Sequence, residues 1–187
     1  MNHEELLRES RRILDEGGVE TPAFITPVPG TFPLNCDIDN DVAVVTFLTS
    51  APEKNVHYSE EYVFERIRGT WEYLGGGSAS MGLPPPVRRT REELNGLHMR
   101  LTGHGLTRRR RHSLFPARRW ISTAELQLSD EVAGLRLDDR PVRVPRHGIV
   151  SVVWPTLHPA TATALAADGR TLASLTLEPR IWTPTPD

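Results

Sequence analysis

One cysteine, Cys36, and one lysine, Lys54, occur in 187 residues, and aromatic residues make up only 6% of the chain. A single thiol excludes a disulfide framework and any cysteine-rich zinc site. No apolar run reaches the ~18 residues that a membrane-spanning helix needs, so no membrane partner is expected. The opening Met1-Asn2-His3-Glu4-Glu5 is acidic and has neither the basic nor the apolar region of a secretory signal, which makes the cytoplasm the expected compartment. The length suits one medium domain or two small ones with a real core.

What the chain does hold is arginine, which supplies 21 of the 22 bases against 24 acids. Genomic base composition accounts for such a bias, and so does a need for planar bidentate contacts. The bases are segregated. Residues 1–65 carry thirteen acids and four bases; residues 88–119 carry ten arginines and two acids; residues 120–187 carry eight acids and six bases. An acidic, then basic, then balanced chain marks either an interaction segment or an internal match between oppositely charged faces.

Leu6, Leu7, Ile13 and Leu14 form one stripe of a helix over Glu4 to Glu16, with Gly17-Gly18 as its stop. Four prolines between Thr21 and Pro33 leave an extended connector, with Phe24, Ile25 and Phe32 tucked under other elements. Val42 to Leu48 reads as a mostly buried strand after a turn at Asp37 to Asp41. Tyr62 to Leu74 reads as a hairpin about Arg68-Gly69, pairing Ile67 with Thr70, Arg66 with Trp71, Glu65 with Glu72 and Phe64 with Tyr73. Tyr62, Phe64, Trp71 and Tyr73 then share a core face, and Arg66 over Trp71 is placed for a cation–π contact. Glu65 opposite Glu72 needs a cation, for which a downstream arginine is the nearest source. The hairpin resembles the long hairpin of nuclear-transport-factor-2-like cone folds. Those folds place several helices before the sheet where this chain has one, and the resemblance implies nothing further.

Gly75 to Pro86 reads as a linker, flexible and then stiff. Thr90 to Glu93 has capping-box spacing and opens a short helix ended by Gly96. Leu97 to Ala117 is expected to be loop, with strand at His98 to Leu101. The remainder is β-rich: Trp120 to Leu128, Val132 to Leu137, Pro141 to Val144, Ile149 to Trp154, Thr161 to Ala166 and Thr171 to Leu177, the last two joined by a turn at Ala167 to Arg170. Strands at this spacing imply a sandwich or small barrel. The expected fold is therefore β-rich α+β: an N-terminal helix with a small antiparallel sheet (residues 1–80), a Pro/Arg-rich connector (81–117) and a C-terminal β-sandwich-like module (118–187).

Motifs that carry chemistry are incomplete. Asp37, Asp39 and Asp41 open like a calcium loop, but Val42 and Leu48 stand where the glycine and the closing glutamate belong. Gly75-Gly76-Gly77-Ser78 lacks the lysine and the helix of a phosphate loop. Ser80 is one residue short of a nucleophile elbow, and Pro84 to Pro86 prevent its turn. His98, His104 and His112 have no metal-binding spacing, and Cys36 beside Asp37 lies in the wrong field for a thiolate. Trp154 and Trp182 fit packing roles near strand ends. No catalytic residue, metal or cofactor is expected. One segment has positive content: Arg108, Arg109, Arg110, Arg111, Arg118 and Arg119, with Phe115 and Trp120 among them. Three readings follow. The segment holds an acidic protein partner or a second copy; it binds nucleic acid, its arginines on phosphates and its aromatics stacking; or it answers the acidic first 65 residues from within. The expected function is a non-enzymatic binding or accessory module of the first kind, with nucleic acid as the alternative and a hydrolase of unrecognised type as the third reading.

Overall fold

The computed structural model describes residues 1–19, 30–51, 56–81, 87–110 and 119–179. Helix α1 (His3–Asp15) opens on a capping box in which the Asn2 side chain accepts from the Glu5 N–H at 3.0 Å and Glu5 accepts from the Asn2 N–H at 2.8 Å. It ends at Gly17, whose φ of +78° no branched residue adopts comfortably. Leu6, Ile13 and Leu14 form its buried stripe, as the spacing predicts.

Among the described residues eleven strands follow: β1 (Gly30–Asp39), β2 (Val42–Ala51), β3 (Val56–Ile67), β4 (Thr70–Met81), β5 (Met99–Arg108), β6 (Trp120–Leu128), β7 (Gly134–Leu137), β8 (Arg140–Val142), β9 (Ile149–Trp154), β10 (Ala160–Leu165) and β11 (Thr171–Leu177). They form three open antiparallel sheets, β1-β2-β3-β4, β5-β6-β9 and β11-β10-β7-β8. The molecule is thus mostly β with one short N-terminal helix.

The β3–β4 hairpin has the register read from the sequence, with Arg68 at φ +52° and Gly69 at φ +88° in the turn and the Arg66 guanidinium 5.5 Å from the Trp71 ring. Tyr62, Phe64 and Trp71 join Leu6, Ile13, Leu14, Val45 and Phe47 in the core between α1 and the first sheet, and Tyr73 packs against it. Burying a side chain the size of Phe64 or Ile13 contributes about 1.5–3 kcal/mol.

Several expectations change. Gly75 to Met81 is not linker but the second half of β4, paired with β3 from Val63 to His57. Glycine carries no strand signal of its own, and the pairing is imposed by the neighbour. Met99 to Arg108 is a full strand paired along β6, where the sequence suggests strand only to Leu101. The Thr90 capping box forms, with the Glu93 N–H donating to Thr90 Oγ1 at 3.3 Å, but Asn95 and Gly96 at φ +57° and +81° close the segment as turns before a helix develops. Asp37 lies inside β1 rather than in a turn; β1 is an edge strand, and it carries Pro33 at a bulge, a position where proline costs no ladder bond. Of the proline-rich connector expected from Thr21 to Pro33, Gly30 to Pro33 instead open β1, with Phe32 half-buried, while Phe24, Ile25 and the Pro84 to Pro86 run lie outside the described residues.

The faces of the first and second sheets that meet are unequal along their length. Val42, Val44 and Val63 pack on Ile121 and Val153, and Leu34 and Leu48 on Ile149. Polar groups fill the rest of this layer: Asn35 donates to the Ser151 carbonyl at 2.7 Å, and the Thr46 and Ser151 hydroxyls lie 2.7 Å apart. On its other face the second sheet shares a larger apolar cluster with the third, built from Leu126, Leu128, Val150, Val152, Trp154, Leu135, Leu137, Ala162, Ala164 and Leu177 among others.

Candidate functional site

The arginine-rich segment begins at the β5–β6 hairpin, whose last rungs are Arg108 opposite Trp120 and the Arg109 N–H donating to the Arg119 carbonyl at 2.8 Å. Arg109 turns inward. Its Nε donates to Glu65 Oε1 at 2.8 Å, and its Nη2 to Asp41; the Glu65 side chain is fully buried. The Arg110 N–H donates to the other Glu65 oxygen at 2.9 Å, and the Arg110 guanidinium reaches Glu72 at 2.7 Å. The cation that the facing Glu65 and Glu72 require is therefore this pair; Arg109 meets the acidic first 65 residues at Asp41 and Glu65, whereas the Arg110 side chain pairs with Glu72, beyond them. Arg108 and Arg119 are exposed and Trp120 is half-buried. Arg111, Phe115, Arg118, His112 and Trp182 lie outside the described residues.

Other arginines of the basic stretch are also engaged internally. Arg88 donates to the Ser129, Pro145 and Val132 carbonyls, and Arg100 to Gln127 Oε1 at 3.4 Å. Arg140, on β8, clamps Asp37 through two bonds of 2.6 and 2.8 Å and also donates to the Ile38 and Val153 carbonyls.

A different site emerges on the inward face of β3. Alternation places His57, Ser59, Glu61, Val63 and Glu65 on the side facing the second sheet, four of the five polar. The Glu61 carboxylate accepts from Thr123 Oγ1 at 2.8 Å, and Ser59 Oγ donates to Glu125 Oε2 at 2.8 Å. Glu125 also accepts from Thr102 Oγ1 at 2.8 Å. Ser59, Glu61 and Glu125 line a cleft of about 190 Å³ that opens to solvent between the β3–β4 and β5–β6 hairpins, walled by Gly76, Gly77, Gly103 and Gly105 with His104 and Thr107 nearby. The glycines set its shape. A Cβ on Gly76 would stand 1.8 Å from the Glu61 carbonyl oxygen, and one on Gly105 would stand 2.5 Å from Thr123 Oγ1 and 3.1 Å from Glu61 Oε1. At Gly77 a Cβ meets nothing within 4 Å, because it would enter open space.

Burial pushes the Glu61 carboxyl up to about 7; the hydrogen bond from Thr123 opposes this, and the nearby Glu125 charge adds to it. Two residues before Ser59, His57 is completely buried with neither ring nitrogen hydrogen-bonded among the described residues, as is the hydroxyl of Ser50 opposite it on β2. His147, also buried, is held below its ordinary pKa chiefly by that burial; its ring bridges the Leu34 carbonyl at 3.0 Å and the Ile149 N–H at 3.1 Å.

Sequence reasoning found no paired carboxylates because Glu61 and Glu125 are 64 positions apart, a span of chain taken from their numbering. The signal that was present is the polar alternation His57, Ser59, Glu61 opposite an apolar face, which reads as solvent-facing unless a second sheet covers it. His98 pairs with Glu131 at 3.1 Å, His104 lines the cleft, and no group of three metal-binding side chains occurs among the described residues. The Cys36 thiol is pushed up to about 12, first by burial and then by the Asp37 charge, consistent with its reading as unreactive. Among the described residues no helix is long and apolar enough to cross a membrane. Comparison with protein-family models, with curated proteins and with solved structures finds no match.

Proposed function

We propose that the protein is a non-enzymatic binding module and that its working site is the cleft between the β3–β4 and β5–β6 hairpins. The observation that carries this reading is the convergence of Ser59, Glu61 and Glu125, from two different sheets, on one solvent-open space walled by glycine, with Thr123 holding Glu61 in place. Strand interiors disfavour glycine, so a glycine-lined gap between two strand pairs fits close approach of a ligand. In this reading the C-terminal strands form a β-sandwich-like module, and the first sheet covers one of its faces to make the cleft. A screen of small polar fragments, read by amide shifts of Gly76, Gly77, Gly103 and Gly105, tests it. Fragments that bind should shift these amides and lose binding when Gly77→Leu fills the open space. A library with no member shifting them removes the proposal.

A second reading keeps the arginine-rich hairpin as the contact for an acidic protein partner or a second copy, and the exposure of Arg108 at the end of β5 favours it. Arg109 and Arg110, spent on Asp41, Glu65 and Glu72, then anchor the hairpin rather than touch the partner. A polyglutamate peptide should bind and be released by Arg108→Ala, whereas a single-stranded oligonucleotide that binds with a steep salt dependence would favour the nucleic-acid alternative. No binding of either probe would leave the hairpin as a structural buckle. A hydrolase would use Glu61 and Glu125 in acid and base roles, and turnover of a fragment held in the cleft would replace the binding reading with that one.

A further inference from the structure

We infer that the ligand of this cleft carries an ammonium or guanidinium group that sits between Glu61 and Glu125. The inference rests on the cleft reading and adds the chemical class of the ligand.

Three features carry it. Among the described residues no lysine or arginine lines the cleft, although β5 leads directly into the richest arginine run of the chain. At the positions of β5 that face the cleft the chain has Gly103 and Gly105, and Arg109 and Arg110 beyond them pair with Glu65 and Glu72. Among the described residues, then, two carboxylates meet at the cleft with no cation of the chain between them. The hydroxyls of Ser59, Thr102 and Thr123 already donate to Glu61 and Glu125, so what this pair still offers is acceptor capacity. A donor-rich cation meets both needs at once, with charge-assisted hydrogen bonds to two carboxylates in a site partly shielded from water.

The third feature is size and shape. The gap of about 190 Å³ is open outward past Gly77, and its volume suits the end of an alkyl chain better than a large ring system. His104 at the rim is exposed and stands opposite Ala124, on the other face of β5 from Gly103 and Gly105, and Glu65 further along β3 is neutralised by Arg109. Because Glu61 holds a proton near neutral pH in the empty cleft, an arriving cation displaces it, and binding is coupled to proton release.

Calorimetry and amide-shift titration with n-butylammonium, n-butylguanidinium and neutral n-butanol test this. Both cations should shift the Gly76, Gly77, Gly103 and Gly105 amides while n-butanol does not. Binding at pH 6 should release a proton, seen as a binding enthalpy that changes with the ionisation enthalpy of the buffer, and at pH 9 that dependence should vanish. Glu61→Gln and, separately, Glu125→Gln should each weaken the cations at least tenfold, a loss expected when one of two charge-assisted partners is removed. Equal binding of n-butanol, or cation binding unchanged in both variants, overturns the inference while leaving the cleft as a binding site. Cation binding that leaves the four glycine amides unmoved overturns it as well, by placing the cation on the acidic surface elsewhere. If none of the three probes moves these amides, the inference falls, and the wider fragment screen decides the cleft reading separately.

Discussion

Single residues in the layer between the first two sheets carry unusual electrostatic weight, because charges there have protein on both sides. Arg109 is 10% exposed and Glu65 not at all, so removing the cation takes an ion pair away from a fully buried carboxylate. Arg109→Met is expected to destabilise the fold by about 3–5 kcal/mol. Arg110→Ala, which breaks a pair whose members are 61% and 37% exposed, should cost under about 1 kcal/mol. Urea denaturation of both variants checks the contrast, and equal losses would show that the two pairs are not different in kind. Glu61 has the opposite sign. Its carboxyl titrates near its ordinary 4.5 when unfolded and at about 7 when folded, so the unfolded chain loses this proton first. Its contribution to stability is complete below about pH 4.5 and declines as pH rises to 7. Glu61→Gln should therefore melt with the wild type at pH 4 and be more stable by about 3 kcal/mol at pH 8. Parallel melting-temperature profiles for the two proteins would contradict this.

At the level of elements, the β3–β4 hairpin shows both what local pattern reveals and where it fails. Its turn-proximal half was legible residue by residue, since Arg68-Gly69 sets the register and Tyr62, Phe64, Trp71 and Tyr73 mark a face. Its far half was not, because Gly75, Gly76 and Gly77 supply no side chains to read and glycine is as common in linkers as in close-packed strands. The structure gives these glycines unequal importance. Gly76→Ala would force a Cβ into the Glu61 backbone and should cost about 1–3 kcal/mol or abolish the strand pairing. Gly77→Ala enters open space and should stay within about 0.5 kcal/mol of the wild type. Thermal melts of the pair distinguish a strand packed at Gly76 from a loose linker, in which both substitutions would be neutral. The β5 strand was hidden for a related reason. The sequence Thr102-Gly103-His104-Gly105 has little β propensity, and pairing with β6, whose alternation is clear, overrides it.

Across the whole molecule, the acidic first third and the arginines downstream meet as ion pairs that tie the sheets together. Arg140 on β8 of the third sheet holds Asp37 on β1 of the first and donates to Val153 on β9 of the second, while the Val153 N–H donates to Asp37 at 2.9 Å. Asp37→Ala is expected to cost about 3–5 kcal/mol. The loss should appear in one transition, seen alike by Trp71 in the first sheet and Trp154 in the second when each is kept as the sole tryptophan. Two separated transitions would show that the sheets unfold independently. From the sequence came the helix with its stripe, the β-rich character, the order and approximate extent of most strands, and the demand of Glu65 and Glu72 for a cation, because each depends on residues near one another in the chain. Tertiary structure alone decided which face of β3 lies inside and which arginines meet which acids. It also brought Glu61 and Glu125 together across the cleft. Those outcomes follow from stacking one sheet on another, and a strand's period of two records that it has two faces without recording what covers each.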